Sequence, residues 1–364
     1  MKSRRHVIVV GAGIIGASVA WHLAEAGARV TVLDAQEPGG IATRVSWAWI
    51  NASFGNPEPY FRLRRHAMQE WHRLAAAVPG VGLARTGSLF WGRPPAELEA
   101  FAAEHGAWGY GVRSVSRAEA AAIEPHLVSP PEMAVHVAEE GVVEPLVAAQ
   151  AILAGAQHLG ATVIAHRRVR SLICAGNRVT GVDTDSGLLQ ADEVVVAGGV
   201  GSSRILATAD VSLPMRTSPG LVVATAPHPP TLNGLLITPT MELRQTTEGR
   251  FLAVGEIEDG QAEGRVDESA SELFAAVKGM VDTGSTLAPG THAVAYRSIP
   301  RDGFPAVGRT AGLLGLYAAV THSGITLAPA IGQFAAEELL TGQRNPLLAP
   351  YGMGRFAAQD QSST

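Results

Sequence analysis

A β-branched run, His6–Val10, stops at Gly11-Ala12-Gly13-Ile14-Ile15-Gly16. A run from Ala17 to Glu25 with an amphipathic reading follows, closed by Gly27, and Arg29–Leu33 makes a second β-branched run ending in Asp34. Strand, glycine turn, helix, strand and acid in this order constrain the chain more than any other feature. Gly11 permits the tight turn, Gly13 lets a pyrophosphate approach the backbone, and Gly16 lets the helix lie close to the sheet. The positive end of the helix dipole faces the phosphates, and Asp34 is placed to accept from ribose hydroxyls. The unit reads as a dinucleotide-binding βαβ.

The 364 residues suffice for two domains. Net charge is −5 without a basic block, which argues against nucleic acid or an anionic membrane as partner. No apolar run reaches the ~18 residues of a membrane span. The single cysteine, Cys174, rules out an intramolecular disulfide and favours a cytoplasmic setting; it reads as an inert core thiol. Lys2-Ser3-Arg4-Arg5 resembles a leader, but cleavage after it would remove the nucleotide-binding strand. The 12 histidines lack ligand spacing, so no metal site is expected, and no G-x-S-x-G occurs.

Past Asp34, residues 36–56 form a long irregular segment holding Trp47 and Trp49, and a loop of that length is usually functional. Tyr60, Leu63, Ala67, Trp71, Leu74 and Val78 recur at steps of three and four, predicting a helix with Arg62, Arg65, Glu70 and Arg73 on its wet side and Trp71 in the core. Residues 81–92 predict a strand, 97–106 and 117–123 short helices joined by loops, and Pro145 opens a helix to about Leu159. Strands are predicted at 161–165, 169–175, 178–184 and 191–199. From Val211 to Arg297 the pattern turns to β with one helix, and 312–320 and 324–340 predict a closing strand and helix. Nucleotide-binding texture thus recurs at the start, middle and end, interrupted twice.

Three stretches together resemble the FAD-dependent amino-acid oxidase superfamily of D-amino-acid, glycine and sarcosine oxidases, closest to the glycine-oxidase type. They are Gly11–Gly16 with Asp34, Asp192–Gly199, and the pair R-S-I-P-R-D-G-F-P-A-V-G (297–308) and V-T-H-S-G-I-T-L-A-P-A-I-G (320–332). The resemblance implies an α/β (α+β overall) fold: a Rossmann-like FAD-binding domain of residues 1–82, 142–214 and 299–364, and a discontinuous, mostly antiparallel β substrate domain of 83–141 and 215–298. It carries non-covalent FAD contacts to Gly11, Gly13, Ile14, Ile15, Gly16, Asp34 and Ala35; to Thr43, Arg44, Ser46, Trp47, Ala48 and Trp49; to Val169, Ala197, Gly198 and Gly199; and to Arg297, His322, Ser323, Gly324, Ile325 and Thr326.

The implied reaction moves a hydride from the α-carbon of an amino acid or N-substituted glycine to flavin N5. Water then converts the imine to a 2-oxo acid, glyoxylate for a glycine unit, and O₂ goes to H₂O₂. Arg297 matches the arginine that grips the substrate carboxylate; an ion pair with Asp302 or a neighbouring acid is the alternative. His322 stands beside the flavin or merely caps the helix. Glu242, Leu243 and Arg244 replace a stretch where relatives often carry a substrate-facing tyrosine, and Arg244 is either a second carboxylate contact or a surface residue. Ala48, Trp49, Ile50 and Phe54 suit an apolar substrate body, unless Trp47 and Trp49 only brace the domains. Lys278 is a poor candidate for oxygen activation because it lies off the predicted buried face of its helix. Rival readings are a dehydrogenase passing electrons to a quinone or partner protein, a non-catalytic flavin subunit of a hetero-oligomer, and an NAD(P) dehydrogenase. Oligomeric state is not legible.

Overall fold

The computed structural model describes residues 4–53, 55–216, 218–257, 265–284 and 287–357. Phe54, and residues 358–364 of the expected FAD-binding domain, lie outside the described residues. A six-stranded sheet runs in the order Ala306–Arg309, Leu316–Val320, Glu193–Val196, His6–Val10, Arg29–Leu33, Thr162–Ile164. Every pair is parallel except the first. Both faces are covered, which explains the unbroken apolar runs: Val7 and Val9 enter one core, Ile8 and Val10 another.

The helix Ile14–Glu25 is not amphipathic. It is buried on all faces from Ile14 to Ala24, because the sheet, the helix Pro145–His158 and the helix Gly324–Thr341 all pack on it. Glycine permits the last contact. A Cβ on Gly332 would run into Ser18 and His22, and Gly324 lies against Ile14 and Ile15. The two helices therefore begin side by side.

Pro329 sits inside the C-terminal helix, which nonetheless starts at Gly324. Pro329 lacks the N–H that would meet the Ile325 carbonyl four residues earlier. Trp71 Nε1 donates to that oxygen instead, at 2.9 Å. Trp71 is in the core as predicted, and it also repairs the helix.

The second sheet has eight strands, ordered Pro289–Tyr296, Pro219–Thr225, Phe251–Glu256, Glu242–Gln245, Leu235–Ile237, Ser88–Phe90, Met133–Val137, Val112–Ser116. Only Leu235–Ile237 with Ser88–Phe90 is parallel. Met133–Val137 and Val112–Ser116 are strands where loops are expected from sequence, and the predicted strand at 81–92 shrinks to Ser88–Phe90. One face packs on the helix Val266–Met280 through Leu221, Leu243, Ala253, Leu273 and Val277. Lys278 on that helix is exposed. Cys174 is exposed too, near the turn of its hairpin, and is not a core thiol.

Candidate active site

The other face of the eight-stranded sheet looks onto the six-stranded sheet across a cavity of about 530 Å³. Its floor is the glycine turn. Gly11 has φ +106°, and a Cβ there would lie 2.5 Å from the Ala197 carbonyl oxygen. A Cβ on Gly16 would strike the Gly11 carbonyl, while Gly13 opens on the cavity. Thr43 Oγ1 accepts from the Ile14 N–H at 3.2 Å. The N–H groups of Ile15 and Gly16 in the same first turn have no helical carbonyl to meet. Asp34 accepts from Ala12 N at 2.7 Å and Gln36 N at 2.9 Å, tying the end of the second strand to the turn.

The long segment forms one wall, with Thr43, Ser46, Trp47, Ala48 and Trp49 all lining the cavity. Ala48 has φ +67°, a conformation that costs an alanine about 1–2 kcal/mol. Its neighbours hold it there. Ala48 N donates to Ser46 Oγ, Arg244 Nε donates to the Trp47 carbonyl at 2.7 Å, and Trp47 Nε1 donates to the Leu252 carbonyl. Trp47 and Trp49 meet edge to face with ring centroids 5.6 Å apart, so they brace the two sheets and line the cavity at once.

Arg244 is therefore neither a surface residue nor a carboxylate contact. It is 1% exposed, lies outside the cavity lining, and pairs with both oxygens of Glu144 at 2.9 and 3.1 Å. It clamps the sheet to the start of the helix Pro145–His158.

The opposite wall is the start of the C-terminal helix, with His322, Ser323, Gly324, Ile325 and Thr326 on the cavity. The ring of His322 makes no hydrogen bond to that helix among the described residues, so it does not cap it. It is exposed to the cavity, where desolvation, Arg297, Arg64 and Arg216 lower its pKa to about 4, so the ring is neutral at physiological pH. Thr321 Oγ1 is buried on the same wall with no partner among the described residues.

Arg297 also faces the cavity. It donates to the Ser218 and Pro219 carbonyls and pairs with Glu256 at 3.0 Å, while Asp302 pairs with Arg355. Gly199 lines the cavity; Gly11, Gly16, Ala197 and Gly198 lie in the turn and strand end behind it. Ala35, Arg44 and Val169 are not on the lining, and Arg44 is spent on the Glu37 and Pro38 carbonyls.

The sequence reading missed Arg64 and Glu140, and gave Glu242 no role of its own. Arg64 is buried on the cavity, donating to Ser323 Oγ at 2.5 Å and to Asn51 Oδ1 at 2.6 Å, with no acidic partner among the described residues. Its place on the apolar stripe, four after Tyr60, was the available signal. Glu140 is fully buried and accepts from Trp49 Nε1, Ser88 Oγ, Ser53 Oγ and Tyr110 OH. Glu242 lines the cavity on the sheet side.

Two helix N-termini, a glycine floor that a Cβ would fill and an orphaned hydroxyl in one cavity fit a dinucleotide such as FAD. The fold and site define an FAD-dependent oxidoreductase. Residues 6–338 match the DAO family, described as FAD dependent oxidoreductase, and the chain belongs to that family. It is similar to an uncharacterized oxidoreductase of Bacillus subtilis, 28% identical over 383 residues covering 94% of this chain and 97% of that protein. It is also similar to glycine oxidase of Pseudomonas aeruginosa, 26% identical over 362 residues covering 94% and 96%. The crystal structure of L-proline dehydrogenase from P. horikoshii superposes with TM-score 0.88 at 24% identity, covering 99% of each chain, a likeness of fold alone.

Proposed function

We propose that the chain oxidises an amino acid or N-substituted glycine, with Arg297 holding the substrate carboxylate. The observation that carries this reading is a cavity-facing guanidinium whose neighbouring acid, Glu256, is itself 82% exposed. An exposed acid is a weak competitor for a carboxylate offered from the cavity side. The Gly11–Gly16 turn and the Ile14 helix start would hold the pyrophosphate, and Ser46 to Trp49 with His322 to Thr326 would hold the ring system. Bound FAD supplies the two-electron acceptor. The protein's own work is orientation: Arg297 fixes one end of the substrate, Trp47, Trp49, Val222 and Val254 exclude water, and the Gly324 helix end offers N–H groups to developing negative charge. Among the described residues the six- and eight-stranded sheets support the division into an FAD-binding domain of 1–82, 142–214 and 299–364 and a substrate domain of 83–141 and 215–298, with the pair Met215–Arg216 and Ile299–Pro300 bridging the boundary. O₂ is the proposed electron acceptor and the cytoplasm the proposed location; no helix among the described residues is long and apolar enough to cross a membrane.

The test is an anaerobic screen of glycine, N-alkylglycines and D- and L-amino acids against purified yellow protein. Bleaching by one class is expected, with peroxide formed on admitting air and free FAD released by acid. Bleaching without peroxide would support the dehydrogenase reading instead. Protein that stays yellow with every amine would reject the proposal.

A further inference from the structure

Building on that reading of the cavity, we propose that Glu242 is a catalytic residue: it takes the proton from the ammonium of a zwitterionic substrate whose carboxylate Arg297 holds. Its position follows from register. Glu242 pairs with Val254, and Val254 with Val222, so the three share one face of the sheet, and all three line the cavity. Leu243, one residue on, points into the separate core on the other face.

The other buried acids are met by donors. Glu124 accepts from the Asn233 and Gly234 amides, Glu193 pairs with Arg309, Glu338 with Arg344, and Glu140 has its four donors. Glu242, partly buried between valines, has no hydrogen bond or ion pair among the described residues. A carboxylate left unmatched in such a place awaits a donor from the cavity.

The charged groups around it are Arg297 and Glu256 beside its own sheet, Arg64 and His322 across the cavity, and Arg216 close enough to His322 to act on it. Burial raises the pKa of Glu242 to about 7, with Glu256 adding to the rise and Arg297 opposing it. An amino-acid ammonium is protonated at that pH, and only the free amine has the lone pair that oxidation needs. In the proposed step the substrate N–H bond breaks, an O–H bond forms on Glu242, and no electrons change hands. The proton returns to solvent when product leaves. Arg297 and Glu242 then form a positive and a negative post that match the two ends of a zwitterion.

The experiment uses FAD-loaded wild type, Glu242→Gln and Glu242→Asp, with retained flavin absorption as the check on folding. Two non-oxidisable ligands of the same shape, N,N,N-trimethylglycine and 3,3-dimethylbutanoate, differ only in the cationic nitrogen, and perturbation of the flavin spectrum reads their binding. Wild type should prefer the cationic ligand by about ten-fold, and Glu242→Gln should lose the preference. With the amine found by the bleaching screen, anaerobic flavin reduction in wild type should rise with pH through the Glu242 ionisation. In Glu242→Gln it should fall about a hundred-fold near neutrality and recover at alkaline pH as the amine loses its own proton, with Glu242→Asp in between. An unchanged ligand preference and pH profile in Glu242→Gln, with wild type active, would overturn the proposal alone. Neither ligand binding and no amine bleaching wild type would overturn the oxidase reading, and this proposal with it.

Discussion

Glu140→Gln is the perturbation whose outcome the structure specifies most closely. One carboxylate oxygen accepts from Trp49 Nε1 at 2.8 Å and Ser88 Oγ at 2.6 Å; the other accepts from Ser53 Oγ and Tyr110 OH, both at 2.5 Å. The Trp49 indole can only donate, so the glutamine oxygen must stay on the Trp49 side. Its NH₂ then faces Ser53 and Tyr110, whose protons lose the carboxylate; Tyr110 OH keeps only the weak Met68 Sδ acceptor at 3.8 Å and already accepts from Ala52 N. Two retained bonds drop from charge-assisted to neutral, roughly 1 kcal/mol each, and two buried hydroxyl protons lose their charged acceptor at about 1–3 kcal/mol each. Relief from burying the charge offsets part of this, because burial pushes the Glu140 pKa up. A net loss of about 2–4 kcal/mol is expected, or roughly 5 °C in Tm. Glu140→Ala would orphan all four donors and is the poorer probe. Trp49 and Ser53 line the cavity, so FAD retention should fall as well. The assay is a thermal melt of the loaded protein read by flavin fluorescence, with FAD titration of the apoprotein beside it. A Tm within a degree of wild type together with unchanged FAD affinity would refute the reasoning.

Arg297→Lys keeps the charge and loses the two-pronged geometry, so substrate affinity should fall by about 2 kcal/mol with the flavin spectrum unchanged; steady-state and binding titrations check it. Burial lowers the His22 pKa from 6.5 to about 4. Between those values the unfolded chain binds the extra proton, so this stability is present above pH 6.5 and is lost as pH falls toward 4, by about 3 kcal/mol in all. His22→Gln should flatten the acid limb of a denaturant-unfolding series. N-Carboxymethyl amines of increasing alkyl length should gain up to about 0.8 kcal/mol in kcat/KM per methylene that reaches Trp47, Trp49 and Val254; a flat series, or preference for a free D-amino acid, would reject the N-substituted-glycine substrate.

What could be read from the sequence was local. The Gly11–Gly16 turn and the step of the helix found at Glu58–Ala77 are carried by adjacent residues, and both stand in the structure. What escaped depends on partners far along the chain. Pro329 left the helix start ambiguous because its missing hydrogen bond is replaced by Trp71, 254 residues from the Ile325 carbonyl it serves. Arg244 looked like surface or substrate chemistry because Glu144, 100 residues away, is its partner. Arg64 was overlooked since a charge on a helix ordinarily reads as wet; Asn51 and Ser323 make burial tolerable. The strand Met133–Val137 gains its meaning only between Ser88–Phe90 and Val112–Ser116.

These distant pairings also set the electrostatics of the cavity. The wall around His322 combines a helix N-terminus with Arg64, which no acid among the described residues neutralises, and with the nearby charges of Arg216 and Arg297. Its acids, Glu242 and Glu256, stand on the sheet side. Arg297 offsets Glu256 there, so the positive charge that no acid among the described residues offsets lies at the helix ends with Arg64. Burial is the largest cause of the depressed His322 pKa, and the positive charges of Arg297, Arg64 and Arg216 add to it. Arg64→Met should then raise the His322 pKa, since the change removes a cation without freeing a paired acid among the described residues. NMR titration of the imidazole would show it, and an unmoved pKa would mean that Arg64 plays no part in holding the ring neutral.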